Sequence, residues 1–239
     1  GGASSLYIVT GNAERNAEFE ILAEGTAAQV FFGDDDNVPL RHLEAAQVYE
    51  LDALLSVDGD DIFCAPEAMR LVHDALLAGA PLVKTTGLPL GMNAWGYSTK
   101  ALSVAVGKSE ASKLETGWGR IFEDVETQTI ELPCAGSEYV RATLDYEEDL
   151  AFFDAAASQI PDWVDMSSVD LVCYLRQLEL DKINSSVNDI YWDNFNMSIK
   201  SEQAVISTKS FSERLHAVIP GGAHTYSRGD DQYPINAPQ

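Results

Sequence analysis

The chain has 239 residues, enough to bury a full core and to hold one large domain or one domain with an appendage. Hydrophobic residues make up 46% and charged residues 22%, an ordinary globular balance, but 38 acidic against 15 basic residues leave a net charge of -23. That field repels nucleic-acid backbones and anionic membranes, so neither is expected as a partner, and an anionic ligand needs metal ions or a local basic group to approach.

Leu6 to Thr10 reads as a strand closed by Gly11-Asn12, and residues 13 to 24 carry a short helical pattern that ends at Gly25. Gln29-Val30-Phe31-Phe32 is a second strand, stopped by Gly33-Asp34-Asp35-Asp36-Asn37. Leu40, Leu43 and Val48 share one side of a helix over residues 40 to 49. Leu54-Leu55-Ser56-Val57 is a short apolar run of the kind that forms a buried strand, expected to be parallel where helices flank it. Pro66 opens an amphipathic helix through Leu77. Strand-helix alternation with short connections predicts an α/β fold, a three-layer α/β/α sandwich around a mixed, mostly parallel sheet.

After Pro81 the rhythm changes. Residues 82 to 86 are strand-like, 87 to 91 a loop, 93 to 98 extended and 99 to 106 helical. The acidic, mixed stretch 108 to 124 predicts a mobile segment. Thr127 to Leu132 and Val140 to Leu144 alternate as strands, and the second runs at Asp145 into a helix over residues 150 to 157. A further helix spans residues 167 to 181, and Ile183 to Met197 form a polar, aromatic-rich close.

Two strand ends therefore carry acids: Asp58, Asp60 and Asp61 around Gly59, and Asp145. The carboxyl end of a strand is where open α/β sheets place ligands, and glycine lets a ligand come close. Crowded carboxylates repel one another unless a cation neutralises them, and hard oxygen donors suit Mg2+. The alternatives are a turn with solvated acids for the first group and helix capping for Asp145. Cys64, Cys134 and Cys173 are odd in number and widely spaced, which fits a reducing compartment and offers no zinc site. With no signal peptide and no apolar run of spanning length, a cytoplasmic location is expected.

Four stretches, in order, resemble the cytidylyltransferases of the spore-coat polysaccharide biosynthesis protein F type, relatives of the Kdo and acylneuraminate (CMP-sialic acid) enzymes. Val30-Phe31-Phe32-Gly33-Asp34-Asp35-Asp36-Asn37-Val38 with Arg41 is similar to the family's "VFRG, acidic pair, V, R" segment. Val57-Asp58-Gly59-Asp60-Asp61-Ile62 resembles its metal-binding strand end. Thr143 to Leu150 resembles "T-(L/V)-D-x-P-E-D-L", and Ile183-Asn184-Ser185-Ser186-Val187 resembles "INSHV". The resemblance covers residues 6 to 197. It implies a nucleotide-diphospho-sugar transferase (GT-A-like) fold and a homodimer. It further implies a Mg2+-dependent reaction in which an acidic sugar-like acceptor attacks the α-phosphate of CTP and releases pyrophosphate. By the same resemblance Asp60 and Asp145 are catalytic and hold the ion, and Asp58, Gly59, Asp61 and Arg41 face the nucleotide. Asn93, Trp95 and Tyr97 line the sugar pocket. Arg41 has an alternative, an ion pair with Glu44 or Asp36.

Two departures matter. The family opens with a strand and a basic loop, "Q-A-R-x-x-S-x-R-L-P-G-K", that cradles the triphosphate, and nothing like it precedes Leu6. Either the native chain carries those residues upstream, or the domain no longer turns over CTP and serves as a scaffold. Glu147 replaces the family's proline, which suits a helix first turn. A third reading is a glycosyltransferase, which would also place acids at a strand end. Residues 198 to 209 read as a linker. Ser210 to Tyr226, with Ile219-Pro220-Gly221-Gly222-Ala223-His224, resemble the start of a glutamate-1-semialdehyde-type aminotransferase, so that 210 to 239 would be a fragment of a second domain.

Overall fold

The computed structural model describes residues 5–109, 111, 113–195 and 197. The linker and the aminotransferase-like segment lie outside the described residues.

Two sheets form. Strands β1 (Leu6–Thr10) and β2 (Ala28–Phe32) pair in parallel, joined through the short helices α1 (Ala13–Asn16) and α2 (Glu18–Ala23). The larger sheet contains β3 (Ala53–Ser56), β4 (Leu82–Thr86), β5 (Trp95–Ser98) and β6 (Thr127–Glu131), in the order β3-β5-β4-β6. Here β3 and β4 both run antiparallel to β5, while β4 and β6 are parallel. The fold is α/β with mixed sheets, but the expected mainly parallel character fails around β5. The reason is the connection: residues 87 to 94 join β4 to β5 without a helix, and a short link returns the chain antiparallel, whereas parallel neighbours need a crossover. Among the described residues, the strand that leads into the acids thus pairs only with an antiparallel neighbour.

Both faces of the larger sheet are covered, because alternate residues point to opposite sides. Leu82 and Tyr97, paired across the sheet, both belong to a cluster with Leu102, Trp118 and Phe122. Val83, one residue on, belongs to the other cluster, with Val72, Met92, Phe152 and Leu175. Helices α3 (Val38–Val48) and α5 (Thr99–Lys108) serve the first cluster; α4 (Pro66–Leu77), α6 (Glu147–Gln159) and α7 (Ser168–Gln177) serve the second. Gly96 is required by this packing. A Cβ there would lie 2.8 Å from Leu76 Cδ1 and 2.9 Å from Val72 Cγ1, so α4 could not approach β5 as it does.

Three local expectations change. The stretch from 108 onward is anchored: Leu114, Trp118 and Phe122 are buried, and Leu114 exchanges backbone hydrogen bonds with Asp36 and Val38. Those three apolar residues, spaced four apart within an acidic stretch, are what holds it to the core. Residues 140 to 144 form no strand, only a single bridge from Arg141 to Leu90. Helix α6 begins at Glu147, not 150, with Tyr146 as its N-cap residue, so Asp145 is not a cap. No helix among the described residues is long and apolar enough to cross a membrane.

Candidate metal and nucleotide site

Strand β3 ends at Ser56, and the chain then turns through Asp58-Gly59-Asp60-Asp61, the Asp61 N–H donating to the Asp58 carbonyl at 3.0 Å. The turn brings one carboxylate oxygen from each of Asp58, Asp60 and Asp61 within 4.8 Å of one another. The Asp61 and Asp58 carboxyls record the crowding. Burial first, and then repulsion from Asp60 and Asp58, push the Asp61 carboxyl up to about 7. Asp58 is raised as well, by burial and by Asp60, with Arg41 opposing the rise. By surface area Asp58 is the most exposed of the three, so solvent tempers its shift and Asp61 is the better witness. Cys64, just beyond the turn, is pushed up to about 12 by its burial and by Asp61 and Asp58, so its thiol stays protonated.

The segment before Asp145 lies directly on this turn. Leu144 N–H donates to the Asp60 carbonyl at 3.0 Å, and the buried Thr143 hydroxyl donates to Asp60 Oδ2 at 3.2 Å. Thr143 also lowers the pKa of Asp61. Thr143 thus joins Asp145 in reaching the turn, a role for which its place two residues before Asp145 is the signal in the sequence. Asp145 is close enough to raise Asp61 and to be raised itself by Asp60, but it stands outside the tight trio. Its carboxylate instead takes a hydrogen bond from Arg141 Nη2.

Arg141 belongs to a second, buried network. Asp149, with no exposed surface, accepts from Arg141 Nε at 3.0 Å, Arg141 Nη2 at 3.2 Å, Asn184 Nδ2 at 2.8 Å, and the N–H groups of Asp145 at 3.0 Å and Tyr146 at 3.1 Å. Burial alone would raise the Asp149 carboxyl, but these donors together hold it below its ordinary value. Asn184 also donates to the Arg141 carbonyl at 3.0 Å, so a residue 43 positions further along braces the Asp145 segment. Tyr191 lays its ring over the guanidinium at 4.3 Å.

Arg41 makes neither of the ion pairs considered from the sequence. Its Nη1 donates to the carbonyls of Asp34 at 3.2 Å and Asp35 at 3.4 Å, and its buried Nε has no partner among the described residues. Its charge reaches Asp58. Asn12 ties the loop after β1 to this one, its N–H donating to Asp35 Oδ1 at 2.7 Å. A Cβ on Gly59 would meet no atom within 4 Å, so there is open space above that backbone.

The three pocket candidates are placed differently from one another. Tyr97 is fully buried; burial raises its pKa, and its hydroxyl meets His42 Nδ1 at 2.6 Å, so it is a core residue and lines no open pocket. His42 is correspondingly held neutral, its pKa lowered to about 4 by burial and by Arg41. The Asn93 amide is occupied: Nδ2 donates to the carbonyls of Leu88 at 2.9 Å and Pro89 at 3.2 Å, and Oδ1 accepts from Thr85 at 3.3 Å. Trp95 is half-buried, against Trp118 at 4.3 Å and beneath Lys84 at 5.3 Å.

A trio of hard oxygen donors that repel one another, at a strand's carboxyl end beneath open space, fits a divalent cation such as Mg2+. Comparison with known proteins bears on the fold around it. No protein-family model matches the chain, and no curated protein matches it in sequence. Among solved structures, a cytidylyltransferase from Leptospira borgpetersenii serovar Hardjo-bovis superposes with a TM-score of 0.65 at 18% identity, over 73% of this chain and 77% of that one. A 4-diphosphocytidyl-2C-methyl-D-erythritol synthase from Anaerococcus prevotii matches at a TM-score of 0.46 and 16% identity, over 65% and 82%. The first likeness shows the fold alone: this chain shares the α/β architecture of that cytidylyltransferase structure.

Proposed function

We propose that this chain is a Mg2+-dependent nucleotidyltransferase that passes CMP from CTP to an acidic sugar-like acceptor in surface polysaccharide biosynthesis. One observation carries the reading: on a cytidylyltransferase-like fold, Asp58, Asp60 and Asp61 crowd together with no cation of the chain bonded to any of them among the described residues. The transfer forms a bond from an acceptor oxygen to the α-phosphorus as the bond to pyrophosphate breaks, and it needs charge neutralisation and in-line positioning more than covalent help. When bound, Mg2+ would supply that neutralisation at the phosphate oxygens.

The residues divide the work. Asp60 would hold the ion with Asp145, and Asp58 and Asp61 complete the oxygen donors. Thr143 and the Leu144 N–H fix Asp60 in place, one at its carboxylate and the other at its carbonyl. Gly59 leaves space for the nucleotide. Arg41, held by two main-chain carbonyls and not neutralised by a carboxylate hydrogen bond, retains its charge for a phosphate or an acidic acceptor. Trp95 would form a wall of the acceptor pocket with Asn93 beside it, and Tyr97 supports Trp95 from within the core at a ring separation of 5.7 Å.

The test is release of pyrophosphate from CTP and Mg2+ across a panel of acidic sugars. Release with at least one of them, lost in Asp60→Ala, is the expected outcome. Binding of nucleotide sugars without CTP turnover would replace this reading with a glycosyltransferase. Binding of neither nucleotide would replace it with a scaffold.

A further inference from the structure

Asp145 stands between two fields of opposite sign. On one side lie three carboxylates, of which Asp60 repels it. On the other lies Arg141, which attracts it. These two neighbours differ in mobility. Arg141 is pinned: it is only 3% exposed, two of its nitrogens are bonded to Asp149, its carbonyl accepts from Asn184, and Tyr191 covers its face. The main chain at Asp145 is pinned as well, through its N–H to Asp149. The Asp145 side chain is not. It is 31% exposed and meets the guanidinium only through Nη2, a nitrogen that Asp149 already engages. One positive charge therefore serves two carboxylates, and the outer one is held by a single shared donor.

We propose that Arg141 is a positioning residue that parks Asp145 away from the acid turn, so that Asp145 is shared between this fixed guanidinium and a divalent cation. The proposal rests on the reading of the acid turn as a cation site. Without the cation, repulsion by Asp60 and attraction by Arg141 act together and keep Asp145 on the arginine. A cation in the turn reverses the sign of that field, and rotation of one side chain on a fixed backbone brings Asp145 across. Arg141 thereby competes with the ion and sets its affinity, and Asp149 sets how strongly Arg141 competes, because it draws on the same charge.

The competition has a signature that mere structural support lacks. In Asp149→Asn the guanidinium has Asp145 as its only remaining anionic partner among the described residues and should hold it more firmly. In the double variant Arg141→Gln/Asp149→Asn both buried charges go together, which spares the cost of an unpaired buried ion and frees Asp145. Binding is read on the full chain, by calorimetric titration with Mg2+ and by the electron paramagnetic resonance signal of free Mn2+. Asp149→Asn should bind either ion about 10-fold or more weakly than wild type, the scale seen when a residue that supports a metal ligand is lost, and the double variant should bind at least as tightly as wild type. Equal affinity in wild type and Asp149→Asn would overturn the proposal, as would a double variant that binds more weakly than wild type. If Asp149→Asn does not fold, the double variant against wild type decides by the same rule. Wild type that binds neither ion removes the cation site itself, an outcome read before any variant is compared.

Discussion

The same fold treats two groups of carboxylates in opposite ways. Asp149 has no exposed surface, yet five hydrogen bonds, two of them from a guanidinium, hold its pKa below the ordinary value. Asp58, Asp60 and Asp61 keep more solvent, but one hydroxyl is the only side-chain donor bonded to any of them among the described residues, and Asp61 drifts up to about 7. The two groups are linked through residues 143 to 145, whose threonine bonds Asp60 and whose aspartate bonds Arg141. A buried charge that the protein satisfies fully is part of its architecture. On the proposed function, the cluster left short of positive charge is the one that takes a cation from outside.

That contrast can be broken in order of expected effect. Asp60→Ala should lower pyrophosphate release from CTP by more than the roughly 100-fold typical of residues one step removed from a metal ion, while leaving the midpoint of urea unfolding unchanged or higher, because repulsion in the turn is relieved. Asp149→Ala should do the reverse to stability. It removes the buried carboxylate that engages Arg141 Nε and Nη2, leaving that buried guanidinium only the partly exposed Asp145, and the urea midpoint should fall by the equivalent of about 3–5 kcal/mol.

The pH dependence separates the groups further. Folding holds the Asp61 proton up to about pH 7, whereas the unfolded chain releases it near the ordinary carboxyl value. Between those values the native state binds more protons, so without metal the stability contributed at this residue declines as pH rises and the loss is complete above about 7. One such proton is worth at most ~1.4 kcal/mol per pH unit, or about 3–6 °C in melting temperature for a chain of this size. Asp61→Asn should flatten this part of the melting profile between pH 5 and about 7, a change that differential scanning calorimetry resolves. Asp149, whose folded pKa is depressed, should act with the opposite sign, its contribution present at neutral pH and lost only as pH falls through its lowered value. The smallest effect lies away from both groups: Tyr97→Phe leaves His42 Nδ1 without its partner and should cost about 1 kcal/mol in urea unfolding, with little change in turnover.

Much of this was legible from residue order. The alternation through Leu77 and the strand that stops just before the acid turn both follow from local patterns that tertiary packing respected. What escaped was set by long-range partners. Trp95-Gly96-Tyr97-Ser98 reads as extended, but nothing in it says that β5 is reversed or that α4 closes over Gly96, and so which side chains are sealed inside. Acidic content suggested looseness after residue 108, although Leu114, Trp118 and Phe122 were already spaced to pack. The joining of Arg141, Asp149 and Asn184 spans more than forty residues, and each has an ordinary local role when read alone.

The central claim is that the turn at Asp58-Gly59-Asp60-Asp61 lacks positive charge because an ion-bound nucleotide supplies it. Thermal unfolding of the full chain with millimolar Mg2+ and CTP tests it most directly, since a ligand bound only to the folded state raises the melting temperature. The account predicts a rise with Mg2+ and CTP together that Asp60→Ala abolishes. The same melting temperature with and without them, in wild type, would contradict it.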